Sequence, residues 1–189
     1  MAFTAIGKPW SAVMRMASSA PIRVGILTVS DRSSRGQRED LSGPALRDAV
    51  EQTGADVTWL KVLPDDVDQL KAFFVNAAKS DEVDLVLSTG GTGFSTRDVT
   101  PEATLAVIDR QAPGLAEAIR AESLEITPHA MLSRNVAGIL NRMLIINLSG
   151  SPRAAVEQFE VVAQVLPHAV QLLRDDPRSE LDHGNPVIS

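Results

Sequence analysis

The chain has 189 residues, 44% hydrophobic and 22% charged, which is ordinary globular usage and excludes a wholly disordered protein. It has no cysteine, which removes disulfides, zinc–thiolate sites and cysteine nucleophiles and fits a reducing compartment. The net charge of -6 argues against a sequence-independent nucleic-acid binder, but backbone amides or a metal can still hold a small anion.

Residues 1–21 have no clear periodicity and are expected to be a flexible extension. A secretory signal needs an apolar stretch of about 7–15 residues. Lys8, Pro9, Ser11 and Arg15 interrupt any such stretch. The working domain is expected over residues 22–173, with 174–189 as a flexible tail. No apolar run approaches the ~18 residues of a membrane-spanning helix.

Ile22–Val29 is short, aliphatic and β-branched, and reads as a buried strand. Gly43–Val50 reads as a helix with Ser42 as its cap, ended by Gly54. Val57–Val62 is a second strand. Val67, Leu70, Phe73, Phe74 and Ala77 recur at helical spacing, which predicts a helix over Asp66–Ala78. Val83–Leu87 is a third strand. Helices are expected from about Pro101, with Thr100 as cap, and from about Gly114. Met143–Leu148 is another strand. Ser151 and Pro152 read as an N-cap and first helical residue of a closing helix to Leu173, kinked at Pro167. Alternating strands and helices imply an α/β fold, its mostly parallel central sheet covered by helices on both faces. Ligands of such sheets sit beyond the carboxyl ends of the strands. Ser30-Asp31, Pro64-Asp65-Asp66, Thr89–Gly93 and Ser149–Pro152 each follow a predicted strand, so all four are expected at one edge.

Thr89, Gly90, Gly91, Thr92 and Gly93 combine turn-permissive backbone with hydroxyl donors. This suits a phosphate cradle, and equally a plain turn. It matches neither the P-loop nor the dinucleotide fingerprint. Asp98 suits a magnesium ligand, or a carboxylate complementing a helix dipole. Asp65 has the same two readings, and on one edge the pair would share a cation. Ser149, Gly150, Ser151 and Pro152 offer a helix start for an anion, as does Asp40-Leu-Ser-Gly-Pro44. Arg134, and Arg32, Arg35 and Arg38, read as phosphate partners or as solvated loop residues. The three histidines lack metal-ligand spacing, and no G-x-S-x-G elbow occurs. Phe73-Phe74 reads as core, and 4% aromatic content disfavours single-stranded nucleic-acid binding.

Taken in order, these segments resemble one family. Gly25-Ile-Leu-Thr-Val-Ser-Asp31, Asp40-Leu-Ser-Gly-Pro44, Pro64-Asp65, Ser88-Thr-Gly-Gly-Thr-Gly-Phe94, Arg97-Asp-Val-Thr-Pro-Glu-Ala-Thr104, Ala130-Met-Leu-Ser-Arg134 and Leu144-Ile-Ile-Asn-Leu-Ser-Gly-Ser-Pro152 look like the MoaB/Mog family of molybdenum-cofactor biosynthesis, which includes gephyrin-like domains. The resemblance implies a three-layer α/β sandwich that binds molybdopterin. It also implies an adenylyltransferase reaction. The terminal phosphate of molybdopterin attacks the α-phosphorus of magnesium-ATP, adenylated molybdopterin forms, and pyrophosphate leaves. The family's catalytic and metal-binding acids fall on Asp65 and Asp98. Its ligand-binding positions fall on Ser42, Gly43 and Pro44, on Thr89 to Gly93, on Ser133, and on Ser149, Gly150, Ser151 and Pro152. Homotrimers or hexamers, hand-over to a molybdenum-inserting enzyme and cytoplasmic placement are implied as well. A non-catalytic molybdopterin carrier uses most of the same residues and is the alternative. One position departs from the pattern: many members carry proline where Ser149 stands.

Overall fold

The computed structural model describes residues 20–175. The expected extension and tail otherwise lie outside the described residues. In chain order the elements are β1 (Arg23–Val29), α1 (Asp31–Ser34), α2 (Ser42–Gln52), β2 (Asp56–Leu63), α3 (Val67–Ser80), β3 (Leu85–Thr89), α4 (Thr100–Leu105), β4 (Arg110–Gln111), α5 (Pro113–Ile126), a 3-10 turn (Pro128–Leu132), β5 (Ala137–Leu140), β6 (Met143–Leu148), α6 (Pro152–Ala163) and α7 (Leu166–Leu173).

The strands form one six-stranded sheet in the order β2-β1-β3-β6-β5-β4. The first four are parallel, while β5 and β4 run antiparallel at the far edge. Side chains alternate between the faces with the strand period. Val24, Ile26, Leu85, Leu87, Leu144 and Ile146 face α2, α5, α6 and α7. Leu27, Val29, Val86 and Ile145 face α3 and α4. These layers are the expected three-layer architecture. No helix among the described residues is long and apolar enough to cross a membrane.

Several boundaries differ from expectation. The third strand starts at Leu85 and includes Thr89, because Thr89 still pairs with Thr28 and Leu148. Asp40, not Ser42, caps α2: its Oδ1 accepts from the N–H groups of Ser42 and Gly43, both at 3.1 Å. Thr100 is the first residue of α4 rather than its cap. The closing helix breaks into α6 and α7, with Pro167 in the first turn of α7. Pro167 has no N–H to continue the preceding helix. The β4 and β5 strands were not expected. Asp66, expected as the first residue of its helix, is instead the N-cap of α3, accepting from the Gln69 N–H at 2.9 Å.

At the end of the sheet opposite the strand carboxyl ends, Asp84 ties the first strand to the last helix. Its carboxylate is 5% exposed. It accepts from the Arg23 N–H at 2.8 Å and from Arg23 Nη2 at 2.9 Å, and Arg174 Nε approaches at 3.1 Å. Burial alone would raise this carboxyl pKa. The two guanidinium groups and the amide outweigh it and hold the pKa below the usual carboxylate range. A lowered folded pKa gives stability that is complete above the unfolded value of about 3.9 and lost as pH falls through the folded one. Asp84→Asn should therefore cost about 2 kcal/mol at neutral pH, less than for a fully buried pair because both arginines keep solvent contact. Urea titrations should find that cost shrinking below about pH 4, where Asp84 of the unfolded chain takes up a proton, and gone once pH falls past the lowered folded pKa.

Candidate functional site

The carboxyl ends of β1, β3 and β6 lie in register, with Thr28 beside Thr89 and Thr89 beside Leu148. The loops leaving them are bound to one another. Thr89 Oγ1 donates to Ser149 O at 2.6 Å, and Gly90 N–H donates to Leu148 O at 3.2 Å. Ser42 Oγ donates to Gly150 O at 2.8 Å, bringing the start of α2 to the same rim. Thr28 Oγ1 donates to Asp40 Oδ2 at 2.8 Å and so joins β1 to the α2 cap.

Gly90 has φ +104°, and a Cβ there would lie 2.3 Å from Val29 O. Gly91 has φ +63°, and a Cβ there would meet Thr100 Oγ1 at 2.4 Å and Asp65 Oδ1 at 3.0 Å. Both positions exclude a side chain. This glycine loop, the hairpin turn of the chain after β3, is pinned from below, where Thr100 Oγ1 donates to Gly90 O at 2.9 Å and the Thr100 N–H to Gly91 O at 3.1 Å. It is therefore a built wall between two cavities, not a loose turn.

One cavity, of about 450 Å³, is polar and includes Asp31, Arg32, Arg38, Asp65, Arg97 and Asp98 in its lining. The other, of about 410 Å³, lies between Thr92, Gly93, Ile126, Leu132, Ser133 and Gln158. They share Gly91, Asp98 and Gly150. Asp65 and Asp98 thus stand on one rim. Ser42, Thr89 and Gly90 line the polar cavity, and Thr92, Gly93, Ser133 and Ser149 the other. Gly43 is buried behind the rim against Asp40 and Thr28. Pro44, Ser151 and Pro152 line neither cavity. Arg35 pairs with Asp31 across 3.7 Å.

The acids are organised by groups that had no assigned role. The Asp31 N–H donates to Asp65 Oδ2 at 2.8 Å. Arg97 holds the Asp31 carboxylate, with its Nε at 2.9 Å, and lowers its pKa. Burial raises the Asp65 pKa, the Asp31 amide opposes that, and the nearby Asp31 and Asp98 charges push it further up. In the other cavity, Gln158 Oε1 accepts from the Ser149 N–H at 2.7 Å and from Asn135 Nδ2 at 3.3 Å. Asn135 Oδ1 in turn accepts from Ser133 Oγ. Arg134 lines neither cavity, and its guanidinium is spent on carbonyls and Glu102. A glutamine inside an apolar helical stripe gave no signal in the sequence. Asp31 and Arg97 lie in segments that carry the family resemblance, but only the folded chain pairs them.

The Ser149–Gln158 bond explains how the loop tolerates the missing proline: an amide hydrogen bond supplies the restraint. Ser149→Pro should remove that donor and lower stability by about 1 kcal/mol. Ser149→Ala keeps the N–H, giving up only a 3.4 Å contact from the Ser151 amide, and should stay within about 0.5 kcal/mol by thermal denaturation.

Comparison with known proteins agrees with this geometry. Residues 25–168 match the family described as "Probable molybdopterin binding domain". The chain is 39% identical over 154 residues to a Helicobacter pylori protein named molybdopterin adenylyltransferase, covering 80% of this chain and 88% of that one. It is 40% identical over 156 residues to the Drosophila melanogaster molybdenum cofactor synthesis protein cinnamon, covering 82% of this chain. It spans about a quarter of that protein's length, 26%, and 24% of Dictyostelium discoideum gephyrin. Among solved structures, Thermus thermophilus MoaB superposes with a TM-score of 0.78 at 46% identity, over 82% of this chain and 98% of that one. The chain belongs to the MoaB/Mog family of molybdopterin-binding domains.

Proposed function

We propose that this chain acts in molybdenum cofactor biosynthesis as a molybdopterin adenylyltransferase, joining molybdopterin to the adenylyl group of ATP and releasing pyrophosphate. One observation carries the reading: two cavities meet only where Gly91, Asp98 and Gly150 stand. The polar cavity, with its arginines and acids, suits the nucleotide. The cavity between Thr92, Ser133 and Gln158 suits molybdopterin, with its terminal phosphate toward the shared rim. The phosphate oxygen then attacks the α-phosphorus, and the bond to pyrophosphate breaks on the nucleotide side. Joining two anions needs alignment and charge neutralisation more than a side-chain nucleophile.

Magnesium fits the donor set. Asp65 and Asp98 offer hard oxygen ligands to the polar cavity. The raised pKa of Asp65, pushed up by burial and then by neighbouring acids, marks a place where positive charge is wanted. Among the described residues, no group of three or more His, Cys, Asp or Glu is placed to hold a metal unaided. Phosphate oxygens and water would complete the shell. When bound, the ion supplies charge neutralisation for the phosphoryl groups. Asp65 and Asp98 position it, the loop amides orient the phosphates, and the hairpin keeps the two substrates in register.

The reading extends to a homotrimer or hexamer, to product hand-over to a molybdenum-inserting enzyme, to cytoplasmic placement, and to a catalytic domain spanning 22–173 between two tails. The family resemblance supports these.

Asp98→Asn should reduce formation of adenylated molybdopterin by about a hundredfold or more, the scale of losing one charge-stabilising group. Molybdopterin affinity should change little. Mass spectrometry of product from molybdopterin, ATP and magnesium checks this. Well-folded wild-type protein that binds molybdopterin yet yields no adenylated product would instead assign it as a carrier.

A further inference from the structure

We infer that Arg134 is the positioning residue for Asp98, an inference that rests on the catalytic reading of Asp98 above. Arg134 follows the 3-10 turn, and its own N–H donates to Thr92 O at 3.0 Å. Its guanidinium then reaches around the loop from Gly93 to Asp98. Nε donates to Gly93 O at 2.7 Å, and Nη2 donates to Asp98 O at 2.7 Å. Nη1 meets the carboxylate of Glu102 on α4. One rigid planar fork therefore ties both ends of a loop to the helix that follows it.

Otherwise the loop is held by Arg97, whose guanidinium binds Asp31, and by its own turn, in which the Asp98 N–H donates to Ser95 O at 3.0 Å. Phe94 is 67% exposed, and Ser95, Thr96 and Arg97 are exposed too. Within it, Asp98 Oδ2 accepts from the Ser95 N–H at 3.0 Å. The same oxygen lies 2.9 Å from where a Cβ on Gly93 would stand. The carboxylate is thus packed on the very residue whose carbonyl Arg134 grips. Arg134 reaches neither substrate cavity, and its charge is matched by Glu102. Its contribution is geometric and passes through Asp98.

The test compares Arg134→Met, Arg134→Lys, Asp98→Asn and the Arg134→Met/Asp98→Asn double variant in the adenylation assay, with thermal melting alongside. Arg134→Met should lower kcat by about 10–100-fold, the cost of misplacing a reacting group by about 1 Å. KM for molybdopterin should stay within about twofold, since binding in the ground state is untouched. Arg134→Lys restores the charge but not the two-carbonyl fork, so it should remain within about threefold of Arg134→Met; it also serves if the methionine variant fails to fold. The double variant should be no slower than Asp98→Asn alone. Unchanged kcat in both Arg134 variants, full rescue by lysine, or an additive loss in the double variant would each overturn the inference while leaving the reaction intact. Full activity of Asp98→Asn would overturn the catalytic reading itself, and with it anything there to position.

Discussion

The site depends on three parallel strands ending level. Thr28, Thr89 and Leu148 are neighbours across the sheet. The loops after β1, β3 and β6 leave from that line, and the start of α2 is tied to the loop after β6. Because the strand ends are aligned, Thr89 can donate to Ser149 O and Ser42 to Gly150 O without any long-range loop having to find its own position. A one-residue slip would exchange the faces of Leu87 and Ser88, burying polar groups where the apolar layer packs. The hydrophobic core thus fixes the register, and the register fixes the edge that carries the candidate site.

What was legible in the sequence follows this division. Long aliphatic strands and strongly periodic helices were readable because burial writes itself as pattern. So was the convergence of Asp65 and Asp98, since parallel topology sends every strand end to one edge. The antiparallel pair of β4 and β5 was not readable. Arg110 and Gln111 are both exposed, and Gly138 must lack a side chain because Ile108 would be 2.4 Å from its Cβ. Neither fact has a period. Helix α2 misled in another way. Ser42 is an ordinary capping residue, but its hydroxyl is drawn across to Gly150, leaving Asp40 to cap the helix. Tertiary contact overrode local preference there. The same holds for Gln158, whose role depends on an amide nine residues away in sequence.

The charge arrangement resolves an apparent conflict. An acidic chain whose polar cavity is lined by Asp31, Glu39, Asp40, Asp65 and Asp98 looks poorly suited to polyanions. Yet Arg97 occupies the Asp31 carboxylate, and the Asp31 amide binds Asp65. The acids that remain toward the cavity include Asp65 Oδ1 and Asp98, whose Oδ2 also accepts from the Ser95 N–H. In the proposed reaction these face a cation rather than bare phosphate. The positive field for the phosphates then comes from that ion, from Arg32 and Arg38 on the cavity wall, and from loop amides.

Two of the three positions where the cavities meet are glycines, one with no room for a side chain and the other crowded. Gly91 has no room for a Cβ beside Thr100 and Asp65, and a Cβ on Gly150 would lie 3.1 Å from Gly90 Cα. The third shared residue, Asp98, is the one group there with chemistry. A wall made of ordinary residues would hold two substrates apart. In the proposed reaction a wall made of glycine would let two phosphoryl groups approach to bonding distance, while Thr100 beneath holds the loop backbone in place. The hairpin's stiffness and its lack of side chains are therefore one requirement, and both trace to the close packing of Gly90 on Val29 and of Thr100 beneath the loop.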